Sequence, residues 1–118
     1  MPQAINQASL PNMDPDEIAL IAFDYSGQIQ CCQTIITVIS VVCVVAPESP
    51  VQDPTPQLRV IGNTVIVGSP INAAPAQAFT QLIGNMLAGV IYIVTGLVAT
   101  SDDQQLSLWF KVTCASPT

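Results

Sequence analysis

Histidine is absent from this 118-residue chain and positive charge nearly so, with Arg59 and Lys111 the only basic residues. Without imidazole there is no Ser-His-Asp or Cys-His nucleophilic arrangement, and the commonest metal ligand and proton shuttle is missing. A net charge of −6 with no Lys/Arg cluster argues against a phosphate-binding surface, so nucleic acid is not expected as a direct partner. Charged residues make up 8% of the sequence, against roughly 25% in ordinary soluble domains. No Cys-x-x-Cys pair occurs among Cys31, Cys32, Cys43 and Cys114, which leaves a zinc knuckle without support. Cys31 and Cys32 point to opposite faces of an extended backbone, and Cys43 and Cys114 could be cross-strand neighbours. Free thiols acting as small buried apolar groups are the simpler expectation. There is no Gly-rich phosphate loop.

The carboxylates fall at Asp14/Asp16/Glu17, Asp24, Glu48/Asp53 and Asp102/Asp103. A glycosidase pair or a divalent-cation site needs two or more of them converging in a cleft. Asp102-Asp103 reads more simply as a solvated hairpin tip, and Glu48 and Asp53 as solvated loop residues. No enzyme, metal or cofactor is expected. A membrane span is not expected either. Thr34–Ala46 is too short for a helix of about 20 residues. Leu82–Ala99 is interrupted by Gly84, Asn85, Gly89 and Gly96, and neither run has basic flanks. Met1–Pro15 lacks the charged-then-apolar order of a secretory signal.

What is present is apolar and β-branched. Half the residues are hydrophobic, enough for one domain with a real core, while the polar surface must come from Gln, Thr, Ser and Asn. Such a surface suits a subunit packed in an assembly; the alternative is a mildly acidic monomer.

The most informative stretch is Leu87–Val112. Two runs rich in Val, Ile, Leu and aromatics flank Ser101-Asp102-Asp103-Gln104-Gln105, a hairpin pattern. Leu106, Leu108, Phe110 and Val112 share one parity and line a core, while Ser107, Trp109, Lys111 and Thr113 take a wetter face. In the first arm both parities are apolar, so both faces should be covered. Upstream, Met1–Pro15, with Pro2, Pro11 and Pro15, reads as an extended arm whose Ile5, Leu10 and Met13 could lie along a neighbouring subunit; a frayed terminus is the alternative. Asp16–Ser26 is a strand candidate with a helix competing, because Asp14-Pro15-Asp16-Glu17 also resembles a helix start. Gln33–Ala46 is the clearest strand, with Thr34, Ile36, Val38, Ser40, Val42 and Val44 on one face and Ile35, Thr37, Ile39, Val41, Cys43 and Val45 on the other, both mostly apolar; a proline-rich loop follows to Gln57. Leu58–Ser69 carries a second hairpin signal at Gly62-Asn63, and Gln77–Ile83 alternates with one mixed face. The tally, about seven strands across residues 16–118 behind an arm at 1–15, predicts an all-β, immunoglobulin-like antiparallel β-sandwich.

Three places resemble the fibre–tail adaptor proteins of tailed bacteriophages. Asp14-Pro15-Asp16-Glu17 running into Phe23-Asp24-Tyr25-Ser26 is similar to that family's opening. Gln33-Thr34-Ile35 enters a Thr/Val/Ile strand as its second strand does. Leu87-Ala88-Gly89-Val90-Ile91-Tyr92-Ile93-Val94, followed by Ala99-Thr100-Ser101-Asp102, is similar to its Gly-x-x-Tyr-x-Val strand and Thr-Ser-Asp hairpin. The match spans residues 14–113, with Gln104-Gln105 where the family usually has basic residues and Gln28–Cys32 where an apolar, Leu-containing stretch is usual. The resemblance implies a structural virion protein of the neck or tail, assembled in the bacterial host cytoplasm. It would be a head–tail connector component, bridging a portal-proximal adaptor ring to tail fibres or tail tube as a homo-oligomeric ring. Expected contacts are the arm around Ile5, Leu10 and Met13 and the loop at Asp102-Asp103. Gly89, Tyr92 and Trp109 have structural roles, the Tyr92 hydroxyl pinning a corner to nearby backbone. A capsid decoration (cement) protein is the alternative in the same class. A monomeric ligand-binding sandwich is another, using Trp109 and Tyr25 as platforms.

Overall fold

Seven strands form in the computed structural model, which describes residues 7–9 (backbone only), 13–29, 33–68 and 76–115. They are β1 (Gln7–Ser9), β2 (Ile18–Asp24), β3 (Ile35–Val45), β4 (Val60–Val67), β5 (Ala78–Gly84), β6 (Ile91–Thr100) and β7 (Gln105–Thr113), with a 3-10 turn at Pro56–Arg59. One sheet runs β1-β7-β6-β3 and the other β2-β5-β4. All pairs are antiparallel except β1 with β7. With β2 to β7 lettered B to G, these are the G-F-C and B-E-D sheets of an immunoglobulin-like sandwich. The opening strand β1 joins the edge of β7 instead of β2.

Strand periodicity builds the core. Burial alternates along the whole of β6, turning Tyr92, Val94 and Val98 inward, and β7 contributes Leu106, Leu108 and Val112. The opposite sheet supplies Ile21 and Phe23 from β2 and Phe79 and Ile83 from β5. Phe23 stacks on Phe79 at 4.6 Å and meets Phe110 edge-on at 5.0 Å. Each such side chain contributes about 1.5–3 kcal/mol of transfer free energy, most of it offset by lost chain entropy. Val94, two residues after Tyr92, stands where antibody domains carry the second cysteine of the inter-sheet disulfide; the aromatic stack fills that space without a crosslink.

Four expectations are corrected. Gly62-Asn63 is not a hairpin turn, since β4 runs through it and both flanks pair with β5. Ile61 faces Leu82 and Val65 faces Thr80, so the extra residues form a bulge, with Gly62 at φ 75° where a side chain would be strained. The strict parity expected for Gln33–Ala46 is broken by register shifts at Ile35/Thr37 and Val38/Ser40. Each shift flips the facing of the residues beyond it, so Val38 packs on the core and Ile39 is exposed. Part of the arm belongs to the chain's own sandwich. Gln7–Ser9 pair with β7, and Met13 is buried, its N–H donating to Thr113 O (3.0 Å) and its C=O accepting from Ala115 N (2.7 Å). Met13 is therefore spent on its own core, not offered to a neighbour; Ile5 and Leu10 lie outside the described residues. Finally, Cys43 faces Val94, whereas Cys114 bonds to Val90 beyond the end of β7, so the two are not cross-strand neighbours. Both are buried free thiols, and Cys31 and Cys32 lie outside the described residues. No described helix is long and apolar enough to cross a membrane.

Candidate functional site

The sandwich offers three kinds of feature that could carry function: buried polar nodes, outer sheet faces and strand edges.

The main polar node sits where the proline-rich loop meets the β5–β6 corner. Prolines deny this loop ladder hydrogen bonds, so side chains fix it instead. Ser49 Oγ donates to Val51 O (2.6 Å) and accepts from Ile91 N (3.0 Å). Asp53, expected as a solvated loop residue, is 5% exposed. Its Oδ1 accepts the Thr55 N–H (2.9 Å), and its Oδ2 accepts both Arg59 Nε (2.9 Å) and the Tyr92 hydroxyl (2.7 Å). Arg59 reaches on to Asn85 O, and Tyr92 Oη accepts the Leu87 N–H (3.0 Å). Burial alone would push the Asp53 carboxyl up, but donors from Arg59, Tyr92 and Thr55 outweigh it and hold the group at about 2. Tyr92 moves the other way, pushed up to about 12 by burial. A carboxylate this saturated with donors has no lone pair aimed at solvent and is unsuited to general-base work. It is a clamp.

The clamp makes stability acid-sensitive in a stated direction. Asp53 titrates near 2 when folded against 3.8 for the ordinary group, so between those values the unfolded chain binds the proton first. Its contribution is complete above about pH 4 and is lost as pH falls through about 2. Thermal melts from pH 6 to 2 should show this acid limb, and Asp53→Asn should flatten it. An equally steep limb in that variant would refute the assignment.

A second node lies at the other end. The Tyr25 hydroxyl donates to Gly96 O (2.7 Å), and its ring packs 6.0 Å from Phe79. Tyr25 is fully buried, which removes one of the two aromatic platforms a ligand-binding reading needs; Trp109 is half-buried on the outer face of β7.

The outer faces are apolar. On the β2-β5-β4 sheet, Leu20, Leu82 and Ile61 form one row across three strands, flanked by Ala22, Thr80 and Val65. Leu20 is 63% and Val65 54% exposed, and no charged side chain interrupts these rows. On the other sheet, Val42, Thr95 and Trp109 make one row and Val44, Ile93 and Lys111 the next. Lys111 is ion-paired with Glu48, as Arg59 is with Asp53, so both basic side chains of the chain are already engaged. The carboxylates lie instead at the strand ends, Asp14, Asp16 and Glu17 before β2, Asp24 closing it, and Asp102 and Asp103 at the hairpin tip.

The edges differ in how they are guarded. The side chain of Gln57 acts as a false strand beside β3, its Nε2 donating to Val41 O (2.8 Å) and its Oε1 accepting from Cys43 N (2.9 Å); the two bulges twist the rest. The bulge in β4 and the three-residue length of β1 serve the same end. β2 runs regular, with seven successive pairs to β5 and no register shift, and β7 pairs as regularly with β6.

The residues singled out from sequence do not form one site. Met13 and Gly89 both bond to the segment around Cys114, with Gly89 at φ 80°, a turn position suited to glycine. Asp102 and Asp103 lie at the opposite end of β7, with Thr100 Oγ1 bonded to Asp102 and Asp103 at φ 63°. Among the described residues there is no group of three or more His, Cys, Asp or Glu placed to hold a metal ion. Sequence reading missed the Asp53–Arg59 pair, although the isolation of Arg59 six residues downstream, in a chain with two cations, is a usable sign. None of the protein families, curated proteins or solved structures compared with the chain matches it.

Proposed function

We propose that this chain is a structural subunit of a multi-copy protein assembly, of the class its sequence resemblance implies: a neck or tail adaptor of a tailed-phage virion. It would join a portal-proximal ring to tail fibres or tail tube through protein–protein contacts. The observation that carries this reading is the pair of charge-poor apolar faces on opposite sides of one sandwich. Contiguous exposed apolar patches larger than a few hundred Å² mark interaction sites, and interface centres are depleted of charge. Using two different faces generates rings or filaments and not closed two-fold pairs.

Cryo-electron microscopy of a particle containing this chain tests the reading. Copies ringed at the portal or tail, with Leu20 and Val42 covered by neighbours, are expected. Copies spread over the capsid lattice would favour a cement protein instead. A stable monomer found in no particle would end both. Leu20→Glu, at an exposed position, should leave the melting temperature within a few degrees, as surface substitutions do, while abolishing incorporation.

A further inference from the structure

We infer that the outer face of the β3-β6-β7 sheet seats a second copy of this chain, the two packed sheet on sheet through the same face about a two-fold axis. The inference rests on the assembly reading and deepens it by naming what covers one of the two apolar faces.

Two bulges in β3 shape this face. Ile35 pairs with Thr100 and Thr37 with Ala99, so Ile36 is the extra residue of the first bulge. Val38 pairs with Val98 and Ser40 with Leu97, so Ile39 is the extra residue of the second. A bulged residue has no opposite number in the ladder, and bulges serve to re-aim side chains. Ile35 is buried and Val38 packs on the core, which leaves both isoleucines on the outer side, 61% and 43% exposed. A solvated edge would be served by a polar residue at either place. Val42 and Val44, farther along the strand, are exposed as well. They pair with Thr95 and Ile93, and Thr95 pairs in turn with Trp109. The result is a ridge of four β-branched apolar side chains along β3, beside a floor of half-buried side chains on β6 and β7.

Size and charge choose the occupant. β3, β6 and β7 are 11, 10 and 9 residues long. At about 3.3 Å per residue and about 4.8 Å between strands they make a face of roughly 33 × 14 Å, or about 450 Å² in plan. The relief of the projecting side chains brings this toward the roughly 600 Å² per partner at the small end of stable interfaces. The β2-β5-β4 face, with strands of 7 and 8 residues, reaches only about 350 Å² in plan. Of the two faces, the β3-β6-β7 face is therefore the one that can hold a pair by itself. It is a flat sheet and not a groove, and its complement is another twisted sheet, stacked about 10 Å away with strands within about 30°. A second copy supplies one of matching length and hand. Among the described residues Lys111 is the one charged side chain set in this face, and Glu48 neutralises it. The carboxylates at the strand ends stay outside it, so two copies meet without opposed charge. An axis along β6 lays the β3 ridge of each copy over the β6–β7 floor of the other. Both β2-β5-β4 faces are left outermost, where the next junction of a larger array can form.

The test is sedimentation equilibrium of the full chain from about 1 μM to 1 mM, the range in which small interfaces associate, with isoleucine-methyl spectra over the same series. A monomer–dimer equilibrium is expected, with the Ile36, Ile39 and Ile93 methyl signals moving as the pair forms and Ile18 unmoved. Ile39→Lys and Val42→Lys should each weaken pairing at least about a hundredfold, since every dimer would bury two unpaired ammonium groups. Both sites are exposed, so the melting temperature of the dilute monomer should stay within a few degrees. Leu20→Lys, on the other face, should leave the pairing unchanged. A monomer throughout the series, or a pair dispersed by Leu20→Lys and not by Ile39→Lys, would overturn the inference. So would open-ended growth abolished by either variant alone, which would mean that the two different faces meet each other, or a particle in which a different protein covers Ile39. None of these ends the assembly reading, which fails only if the chain is found in no particle.

Discussion

Asp53→Ala is expected to destabilise the fold by about 3–5 kcal/mol, the cost of leaving a buried cation without its partner. Arg59, with a side chain 12% exposed, would lose its counter-charge, and Tyr92 would lose the acceptor of its hydroxyl. For a domain of this size such a loss lowers the melting temperature by about 10–20 °C and consumes a large share of a total stability of about 5–15 kcal/mol. Asp53→Asn should cost less, since an amide oxygen can still accept the Thr55 N–H and part of the Arg59 fork. The decisive measurement is the double variant. Asp53→Ala with Arg59→Ala should melt well above the sum of the single losses, because residues in one network do not act additively. Strict additivity would mean that the two merely lie near each other.

Gly96→Ala is the second large effect. An added Cβ would sit 2.7 Å from Phe79 Cζ and 2.8 Å from Tyr25 Oη, distances no real contact tolerates. Space, not backbone conformation, imposes glycine here. Overpacking of this kind costs about 1–3 kcal/mol. Pushing the Tyr25 hydroxyl away from Gly96 O adds the cost of a buried donor and acceptor left unpaired, about 1–3 kcal/mol more. A loss of about 3–5 kcal/mol in chemical denaturation is therefore expected. Gly27→Ala, where nothing lies within 4 Å of the added atom, is the control and should be near neutral. Tyr25→Phe in the Gly96→Ala background should recover part of the loss by removing one of the two clashing atoms. An unchanged midpoint for Gly96→Ala would disprove the close packing of these three residues.

Gly96 illustrates how far the sequence could be read. A glycine within a β-branched run signals close approach of another group, but neither Phe79 nor Tyr25 could be named, because their positions relative to β6 depend on how the two sheets face each other. The hairpin of β6 and β7 was legible, since turn residues separate two strand-favouring runs and the apolar positions of β7 share one parity. The gap at Gly62-Asn63 was misread because the same dipeptide suits a two-residue turn and a bulge. Pairing of both flanks with β5 decides between them, and that pairing is a tertiary fact. The candidate surface was half legible. Two-face apolarity was plain in β3 and β6, but for β2 either parity could have been the inner one.

By itself, the sequence determined the composition of the strands, the all-β sandwich and the poverty of charge on its surface. These come from local periodicity and turn chemistry, which act within a few residues. Only the tertiary structure decided that Ile21 and Phe23 turn inward and Leu20 outward, that Asp53 is buried against Arg59 and Tyr92, and that β1 pairs with β7. Each of these depends on contacts between segments tens of residues apart, where facing is set by sheet packing and burial of charge by the arrival of a distant partner.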